Sequence, residues 1–476
     1  MSNQTGLPSD IIPLAKQRFN AMAGYSRDPK IILIIEEREW YSTRDERLVG
    51  MVTFDKIDHD YGCVVLGRDE RHRFRAINVN VSYPTIDLSR ASLFEELATH
   101  HAEPDESYYQ ADDPSPPTDF FTPVVDESRL NPIFKTLVNG INYSSALGII
   151  KPMMRFYDDA DGNFVEQFQT VGFDARLWEL YLFATFIELG YARAPGSAVP
   201  DFIFQSPFGA LGIEATTINP PNNRTPQMPD SEEGRRAYLE NFIPIKLARA
   251  LRRKLEKKSP YWAISEMDGL PFVIAIQDFH IPGSMRAITQ AATEYVFGVR
   301  HSIEDGKQKI EWIDEHIWGK LKEKSGFFTL PGAENISAVI VNPQGTLSKF
   351  NRMGVIAGFG DPRVRIIRRG LVRGEHDPSD PRPRYFVHEV TKPGYSESWV
   401  EGMVVLHNPH ARIPLPPPLV EGASHEFLQD DGRIMSLFPE FHPYFSETFI
   451  FGPDTARADQ APRTAEVPQG IPEDPA

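Results

Sequence analysis

The sequence predicts a mixed α/β fold, α+β overall, organised around residues 173–279. Helical and strand patterns alternate in this stretch in the order helix, strand, strand, helix, strand. Runs rich in Ile and Val dominate the chain before it, and strands and helices are mixed after it. We therefore expect a β-rich N-terminal domain (1–125), a central core (126–300), a mixed C-terminal region (301–452) and a disordered tail (453–476).

The composition is that of a folded chain with a sizeable buried core. Hydrophobic residues make up 41% and charged residues 24% of the 476 residues. No run of about 18 apolar residues predicts a membrane span, and no secretory signal is visible, so we expect a cytoplasmic protein. Cys63 is the single cysteine, which excludes an internal disulfide and a cysteine-rich zinc site. The formal net charge of -16 argues against a basic surface over the whole molecule.

The part of the chain before the core predicts a small β meander or half-barrel. Between residues 30 and 81, apolar runs such as GCVVLG alternate with polar or glycine turns. Helices are expected over 10–25 and 88–102. An acidic, proline-rich linker or loop at 103–123 and a partly helical segment at 134–154 lead into the core.

The part after the core predicts both helices and strands. A helix is expected over 285–299, followed by a charged helical stretch through Lys324. Strand patterns appear at 335–343 and in VRIIRRGLVRG and PRYFVHEV, and a proline-rich extended segment follows GMVVLH. Beyond Gly452 almost no large apolar residue occurs, which predicts disorder.

Glu179 lies on a helix that is apolar on every side. Between Leu177 and Leu189 nearly all other positions are apolar, and such a helix is usually buried all round. A buried carboxylate needs a cation or hydrogen-bond donors. Arg176, three residues earlier, is one candidate partner, and a shared acidic site is the other.

Two further carboxylates lie on the strands that follow. Asp201 follows Pro200 at the start of DFIF, where a turn or capping role is the ordinary explanation. In GALGIEATT, alternation places Glu214 and Thr216 on the face opposite Ile213, among small and apolar neighbours. Carboxylates from two adjacent strands can converge on one Mg²⁺, which prefers oxygen ligands.

Lys254 lies within the apolar stripe of the next helix. At 100° per residue it falls between Ile243 and Leu247, so it either snorkels or pairs with a carboxylate of the sheet. Residues 235–258 carry nine Lys or Arg and two Glu, a local excess of positive charge. Such a flank is either solvated surface or a track for a phosphate backbone.

Taken in order, these residues resemble the active-site motif of the PD-(D/E)xK, or restriction-endonuclease-like, nuclease superfamily. The resemblance covers roughly residues 165–285 and implies an αβββαβ core that binds Mg²⁺ and hydrolyses DNA or, less often, RNA. The motif aspartate falls on Asp201, the motif glutamate on Glu214, and the first-helix glutamate of some relatives on Glu179.

The chain departs from this motif at the lysine. The expected position, two residues after Glu214, holds Thr216. Some members of the superfamily supply the lysine from the following helix, and Lys254 meets that requirement, with Lys246 in reserve. Gln277 and Asp278, at the end of the next strand, are further candidates for the same site.

The resemblance implies a metal-dependent nuclease. Glu179, Asp201, Glu214 and the Ala215 carbonyl would hold Mg²⁺, for which Mn²⁺ could substitute, and Lys254 would position the attacking water. We expect Arg249, Arg253 and Lys257 to contact the phosphate backbone of a nucleic acid, and we expect DNA in preference to RNA. The sequence leaves open whether the chain forms a homodimer or binds a protein partner. A role in defence or restriction is suggested only by analogy with the fold.

Two other classes of function remain open. Thr216 and the net charge favour a catalytically degenerate nuclease fold that binds nucleic acid or a protein partner without cutting. A zinc- or histidine-based hydrolase would use His407 and His410, with His388 or His280. The i, i+3 spacing of the first pair in a proline-rich stretch is unlike a ligand pair on a helix face.

Overall fold

A computed structural model of the chain describes residues 10–110, 116–159, 162–194, 199–220, 228–304, 307–373 and 383–453. The fold is mixed α/β with several sheets, as the sequence predicts. None of the described helices is both long and apolar enough to cross a bilayer. The cytoplasmic location stays a prediction, and residues 454–476 of the expected tail lie outside the described ranges.

The N-terminal part is an antiparallel sheet covered by a helix. Its strands follow one another in the order β1-β2-β3-β4-β5, so the expected meander is confirmed. Leu93 and Leu97 of α2 are fully buried with Val52 and Val65 of the sheet. The elements are β1 (Ile11–Pro13), α1 (Lys16–Ala23), β2 (Ile35–Thr43), β3 (Val49–Asp55), β4 (Tyr61–Arg68), β5 (Phe74–Tyr83) and α2 (Ile86–His101).

Two local features of this part differ from the expectation. The segment Ile11–Pro13 pairs with β2, and the helix begins only at Lys16. Pro13 tolerates this position because β1 is an edge strand, where its missing N–H is not required. The segment Ile31–Leu33 forms one 3₁₀ turn, since the carbonyl of Ile31 accepts the N–H of Ile34 at 3.0 Å.

The central part follows the predicted order of helices and strands. A π-helical turn, Tyr238–Phe242, joins α7 to α8. The elements are α3 (Pro132–Asn139), α4 (Ser144–Met154), α5 (Phe164–Gln169), α6 (Phe173–Glu188), β6 (Ala192–Arg193), β7 (Phe202–Ser206), β8 (Gly209–Ile218), α7 (Glu232–Ala237), α8 (Ile243–Leu255), β9 (Phe272–Asp278) and α9 (Ile288–Phe297).

The remaining elements mix strands with one helix longer than a turn in the described residues. They are β10 (Val299–Glu304), β11 (Lys307–Trp312), β12 (Glu315–Trp318), β13 (Leu321–Lys324), β14 (Ala338–Val341), α10 (Leu347–Ile356), β15 (Arg365–Arg373), β16 (Pro383–Glu389), β17 (Val404–His407), β18 (Ser424–Leu428), β19 (Ile434–Leu437) and β20 (Pro443–Phe451).

The prediction of a charged helical stretch up to Lys324 is wrong. The chain forms two antiparallel hairpins there, β10–β11 and β12–β13. In β11 the charged residues Lys309 and Glu311 alternate with Ile310 and Trp312, which is the two-residue period of a strand. His316 is fully buried between the carbonyl of Glu240 and the hydroxyl of Ser325, which anchors the second hairpin.

A mixed eight-stranded sheet in the described residues organises the rest of the molecule, in the order β19-β18-β17-β14-β9-β8-β7-β6. Helix α6 covers one face, and α8 and α9 cover the other. Strands β14 and β17 to β19 follow residue 300 yet extend the same sheet, so the expected division at residue 300 crosses a continuous sheet. A second sheet has the order β16-β15-β20.

Helix α10 has no counterpart in the sequence-based expectation. Lys349, Asn351 and Arg352 are buried within it, which disguises the apolar stripe by which such helices are recognised. Lys349 and Arg352 bind the buried carboxylate of Glu397 at 2.6 and 2.8 Å. Their burial therefore depends on a partner some 45 residues away in the chain, at a separation that local patterns do not reveal.

Candidate active site

The side chain of Asp201 lies where β7 and β8 stop pairing. The last paired residues of this ladder are Phe202 and Ile213. Beyond them, Asp201 Oδ2 accepts the backbone N–H of Ala215 at 2.8 Å, and the N–H of Asp201 donates to Glu214 Oε2 at 3.3 Å. At this strand end, carboxylate oxygens therefore take the place of backbone carbonyls as hydrogen-bond acceptors. These bonds hold the side chains of Asp201 and Glu214 close together.

Glu214 is buried on the face of β8 that helix α8 covers. Its exposed fraction is 4%, and Lys254 Nζ lies 2.5 Å from its Oε1. The lysine reaches inward because Leu247 and Leu251 bury the same side of α8 against the sheet. Of the two alternatives for Lys254, snorkelling and pairing with a carboxylate of the sheet, the structure shows the pairing.

Glu179 approaches from helix α6. Arg176 Nη1 donates to both of its carboxylate oxygens, at 3.0 and 2.8 Å, and the Tyr157 hydroxyl donates to Oε2 at 3.2 Å. The ordinary partner that the sequence suggested is therefore present. The acidic neighbours are present too, because Glu214 and Glu179 both act electrostatically on Asp201.

Electrostatics single out Asp201 among the acidic residues. Burial, the charge of Glu214 and the charge of Glu179, in that order, raise its pKa well above the usual range. Burial also raises the pKa of Glu179, against the opposing effect of Arg176. Carboxylates that raise one another's pKa favour either a proton or a bound cation.

Glu179, Asp201 and Lys254 line one cavity with a volume of about 520 Å³, and Glu214 lies behind its wall, paired with Lys254. Basic and hydroxyl side chains complete its wall, so an anionic group entering it would meet cations as well as the carboxylates. Thr216, at the position where the resemblance predicts a lysine, also lies on the wall and so near the acidic residues. The lining residues are Gln167, Ala175, Arg176, Trp178, Glu179, Asp201, Ala215, Thr216, Thr217, Asn219, Arg253, Lys254, Lys257 and Tyr261.

Tyr261 belongs to this site and was missed from the sequence. It lies in a one-turn helix after α8, is 5% exposed, and its hydroxyl hydrogen-bonds Glu214. Burial and the charge of Glu214 raise its pKa. Lys257 Nζ lies 3.9 Å from its ring centroid. The available signal was the pair YW directly after a basic helix, which has no periodicity to interpret.

Several other candidate residues lie away from the cavity. Lys246 is two turns from Lys254, about 12 Å along the helix axis, and its Nζ lies 5.2 Å from the Phe242 ring centroid. The Gln277 amide donates to the carbonyl of Asn342, and Asp278 Oδ1 contacts His280 Nδ1 at 2.5 Å. Both are fully buried, and neither lines the cavity.

The basic residues of α8 divide between two roles. Arg253 and Lys257 line the cavity, as expected of residues near a bound phosphate backbone. Arg249 Nε instead lies 3.3 Å from Glu323 Oε1 of hairpin β12–β13. This ion pair directs Arg249 toward the hairpin, so only part of the basic face is turned to the candidate site.

The histidines do not form the alternative hydrolase site. His407 Nε2 lies 2.8 Å from His425 Nδ1, and burial followed by the charge of His425 lowers the pKa of His407 to about 3. His280 is fully buried between Asp278 and the hydroxyl of Tyr238. His388 packs its ring on Phe441 of the outer sheet region, and His410 lies in a turn.

The donor set fits a weakly held Mg²⁺ better than a tightly bound structural ion. No group of three or more His, Cys, Asp or Glu in the described ranges has the arrangement of a metal cluster. Mg²⁺ commonly binds through one or two carboxylates, waters and substrate phosphates. Asp201 and Glu214 meet that requirement, because they share a strand end and their charges repel. Glu179 is held by Arg176.

Comparison with known proteins gives no independent information about this site. A scan against family models, a search of curated proteins and a search of solved structures each found no match. The chemistry of the cavity is therefore inferred from its own contacts, burial and charges.

Proposed function

We propose that the chain is a metal-dependent nuclease of the PD-(D/E)xK type that hydrolyses phosphodiester bonds, of DNA in the first instance. One observation carries the proposal: Glu179, Asp201 and Lys254 line one cavity with basic walls, and Glu214 is paired with Lys254 and hydrogen-bonded to the backbone of Asp201. The succession of α6, β6, β7, β8, α8 and β9 supports the αβββαβ arrangement of such a core.

Asp201 and Glu214 are the residues that would hold Mg²⁺ or Mn²⁺, with oxygen atoms suited to either ion. When bound, the ion would lower the pKa of a coordinated water and offset negative charge on the phosphate. Arg176 keeps Glu179 oriented at the rim of the cavity. The hydroxyl of Tyr261 holds Glu214 from the side of α8 and limits its freedom to turn away.

Lys254 is the residue that would act on the reacting groups. Its ammonium, anchored 2.5 Å from Glu214 Oε1, faces a cavity wide enough for a phosphate. From there it can donate a hydrogen bond to the attacking water and stabilise charge that develops on the phosphoryl oxygens. Arg253 and Lys257, on the same wall, would bind the neighbouring phosphates.

The test is cleavage of labelled DNA and RNA by the purified full chain in Mg²⁺ or Mn²⁺. We expect wild type to cleave, and Asp201→Ala to lose at least about 100-fold in rate. The matched control is Asp431→Asn, a carboxylate in the exposed turn between β18 and β19, which should cleave as wild type does. Equal cleavage by wild type and Asp201→Ala, or none by wild type with either metal, would refute the proposal.

A second candidate is a nuclease fold that binds nucleic acid or a protein without cutting. A specific observation favours it: Glu179 and Glu214 are each already paired with a cation, Arg176 and Lys254. Metal binding separates the two candidates. Calorimetric titration with Mn²⁺ should show binding that Glu214→Ala abolishes if the site is catalytic, and no binding by wild type if it is not.

A further inference from the structure

A groove lies between the N-terminal sheet and the end of helix α4, outside the acidic cavity. Its volume is about 510 Å³. Its lining includes Arg73, Arg75, Gln110, Tyr25 and Phe156. Cations together with aromatic rings are the combination with which proteins bind unpaired nucleotides.

Two arginines bring positive charge to the wall of this groove, Arg73 and Arg75. Arg73 is also paired with the buried carboxylate of Asp69 at 2.7 Å, which orients its guanidinium group. A phosphate bound in the groove would meet guanidinium groups, which bind phosphate oxygens well.

Phe156 offers a ring to a ligand in the groove. It stacks on Tyr25 with centroids 5.3 Å apart and an angle of 26°, and Tyr25 stacks on Phe183 at 5.6 Å and 11°. Phe156 is half-buried and is the last of these three rings. An unpaired base could continue the stack, because every base has a π-face.

Arg193 lies between a cavity beside this groove and the backbone of Asp201. Tyr25 and Phe156 also line a neighbouring cavity of about 170 Å³, together with Asp158 and Arg193. Arg193 donates to the carbonyl of Asp158 at 2.9 Å and to the carbonyl of Asp201 at 3.3 Å. A strand leaving the candidate active site would therefore pass Arg193 on its way to Phe156.

We infer that this groove binds a single-stranded segment of the polynucleotide substrate, with an unpaired base on Phe156 and its phosphates near Arg73 and Arg75. The inference rests on the proposed nuclease function and deepens it, since it names the form of the substrate. A single strand fits because Phe156 is half-buried and ends the stack, so that a base can reach its ring, whereas a duplex hides its base faces.

The test is binding of a fluorescein-labelled 20-residue oligothymidylate and of a matched duplex, by anisotropy at several salt concentrations. Asp201→Asn serves as the background, so that cleavage does not interfere. Phe156→Leu keeps apolar packing and removes the ring, and Arg75→Gln removes one charge. The control is Arg433→Gln, an exposed arginine of the β18–β19 turn. Thermal melting verifies that each variant is folded.

We expect Phe156→Leu to weaken single-strand binding by about fivefold or more. Arg75→Gln should reduce the slope of log K against log salt by about 0.7, the value of one single-strand phosphate contact. Arg433→Gln should change neither. Folded variants that bind the oligothymidylate as the control does would overturn the inference, as would an equal loss of duplex binding.

The experiments distinguish failure of the groove proposal from failure of the nuclease proposal. The binding arms contain no cleavage step, and the cleavage assay with Asp201→Ala does not involve Phe156 or Arg75. Cleavage by wild type together with unaltered binding by both groove variants would leave the nuclease proposal and remove the groove.

Discussion

At the scale of single residues, Asp201 determines how the site responds to pH. Its pKa is raised in the folded protein by burial and by the charges of Glu214 and Glu179. The folded state therefore holds this proton more tightly than the unfolded chain does. The free energy of unfolding of the metal-free protein should accordingly fall as pH rises from about 4, the ordinary aspartate pKa, through the raised pKa.

Asp201→Asn should remove this pH dependence. The amide stays neutral and its oxygen can still accept the N–H of Ala215. We expect the metal-free variant to be more stable than wild type at pH 8, by an amount on the order of 1 kcal/mol, and Mg²⁺ to raise the melting temperature of wild type alone. Denaturation at pH 5 and pH 8 measures this. Parallel pH profiles for the two proteins would contradict it.

Lys254 and Lys246 provide a matched pair on one helix. Lys254 contacts Glu214 in the cavity, whereas Lys246 lies two turns away beside Phe242. Lys254→Met keeps the chain length and removes the charge, so we expect kcat to fall about 100-fold or more. Lys246→Met should keep kcat near wild type. Steady-state cleavage kinetics measure both, and equal losses would show that the position of Lys254 is not special.

The candidate site was predictable from single residues only where a charge was locally out of place. Glu179, Glu214 and Lys254 each lay on an apolar element, so their positions demanded a partner. Tyr261 lies in a single helical turn after α8, where an aromatic residue does not by itself require a polar partner. Gln277 was placed in the site because it ends a strand, but its amide is bound to Asn342.

At the scale of elements, helices α4 and α10 approach each other closely at Gly354. A methyl group there would overlap the carbonyl oxygen of Ser145 in α4. Because a backbone atom cannot turn aside as a side chain can, Gly354→Ala should force the helices apart and lower the free energy of unfolding by about 1–3 kcal/mol. Chemical denaturation measures the change, and an unchanged midpoint would contradict this close approach.

A helix or strand was predictable where its pattern of apolar residues is set by burial of that element alone. The strands of the N-terminal meander and the buried helix α6 show their periods in the sequence. The prediction of a helix at the hairpins β10–β11 and β12–β13 is wrong, because their many charged residues hide the two-residue period of the strands. Helix α10 was missed because its buried cations have partners outside the helix.

At the scale of the whole molecule, Glu397 connects helix α10 with the second sheet, β16-β15-β20. Lys349, Arg352 and Arg368 surround its fully buried carboxylate. Burial opposes its ionisation, but Arg352, Lys349 and Arg368 more than offset this and hold its pKa well below the usual range. The stability that it contributes is therefore present above about pH 4.3 and is lost as pH falls toward the depressed pKa.

Glu397→Gln should be strongly destabilising, because it leaves buried cations without their carboxylate. We expect the free energy of unfolding at pH 7 to fall by about 3–5 kcal/mol. Glu389→Gln is the matched control: its pair with Arg365 lies at the surface of β15 and β16, and its loss should have little effect. Urea denaturation of both variants measures the difference, and equal midpoints would contradict the role of the buried cluster.

The sequence by itself determined the fold class, the order of elements in the central part, and which charged residues need a partner. Each of these depends on a period or a local mismatch within one element. Only the tertiary structure decided that Asp201 and Glu214 share a strand end, that Lys254 reaches them, and that the sheet continues past residue 300. These facts depend on pairing between distant segments, and the pKa of a buried carboxylate depends on charges that such pairing brings near.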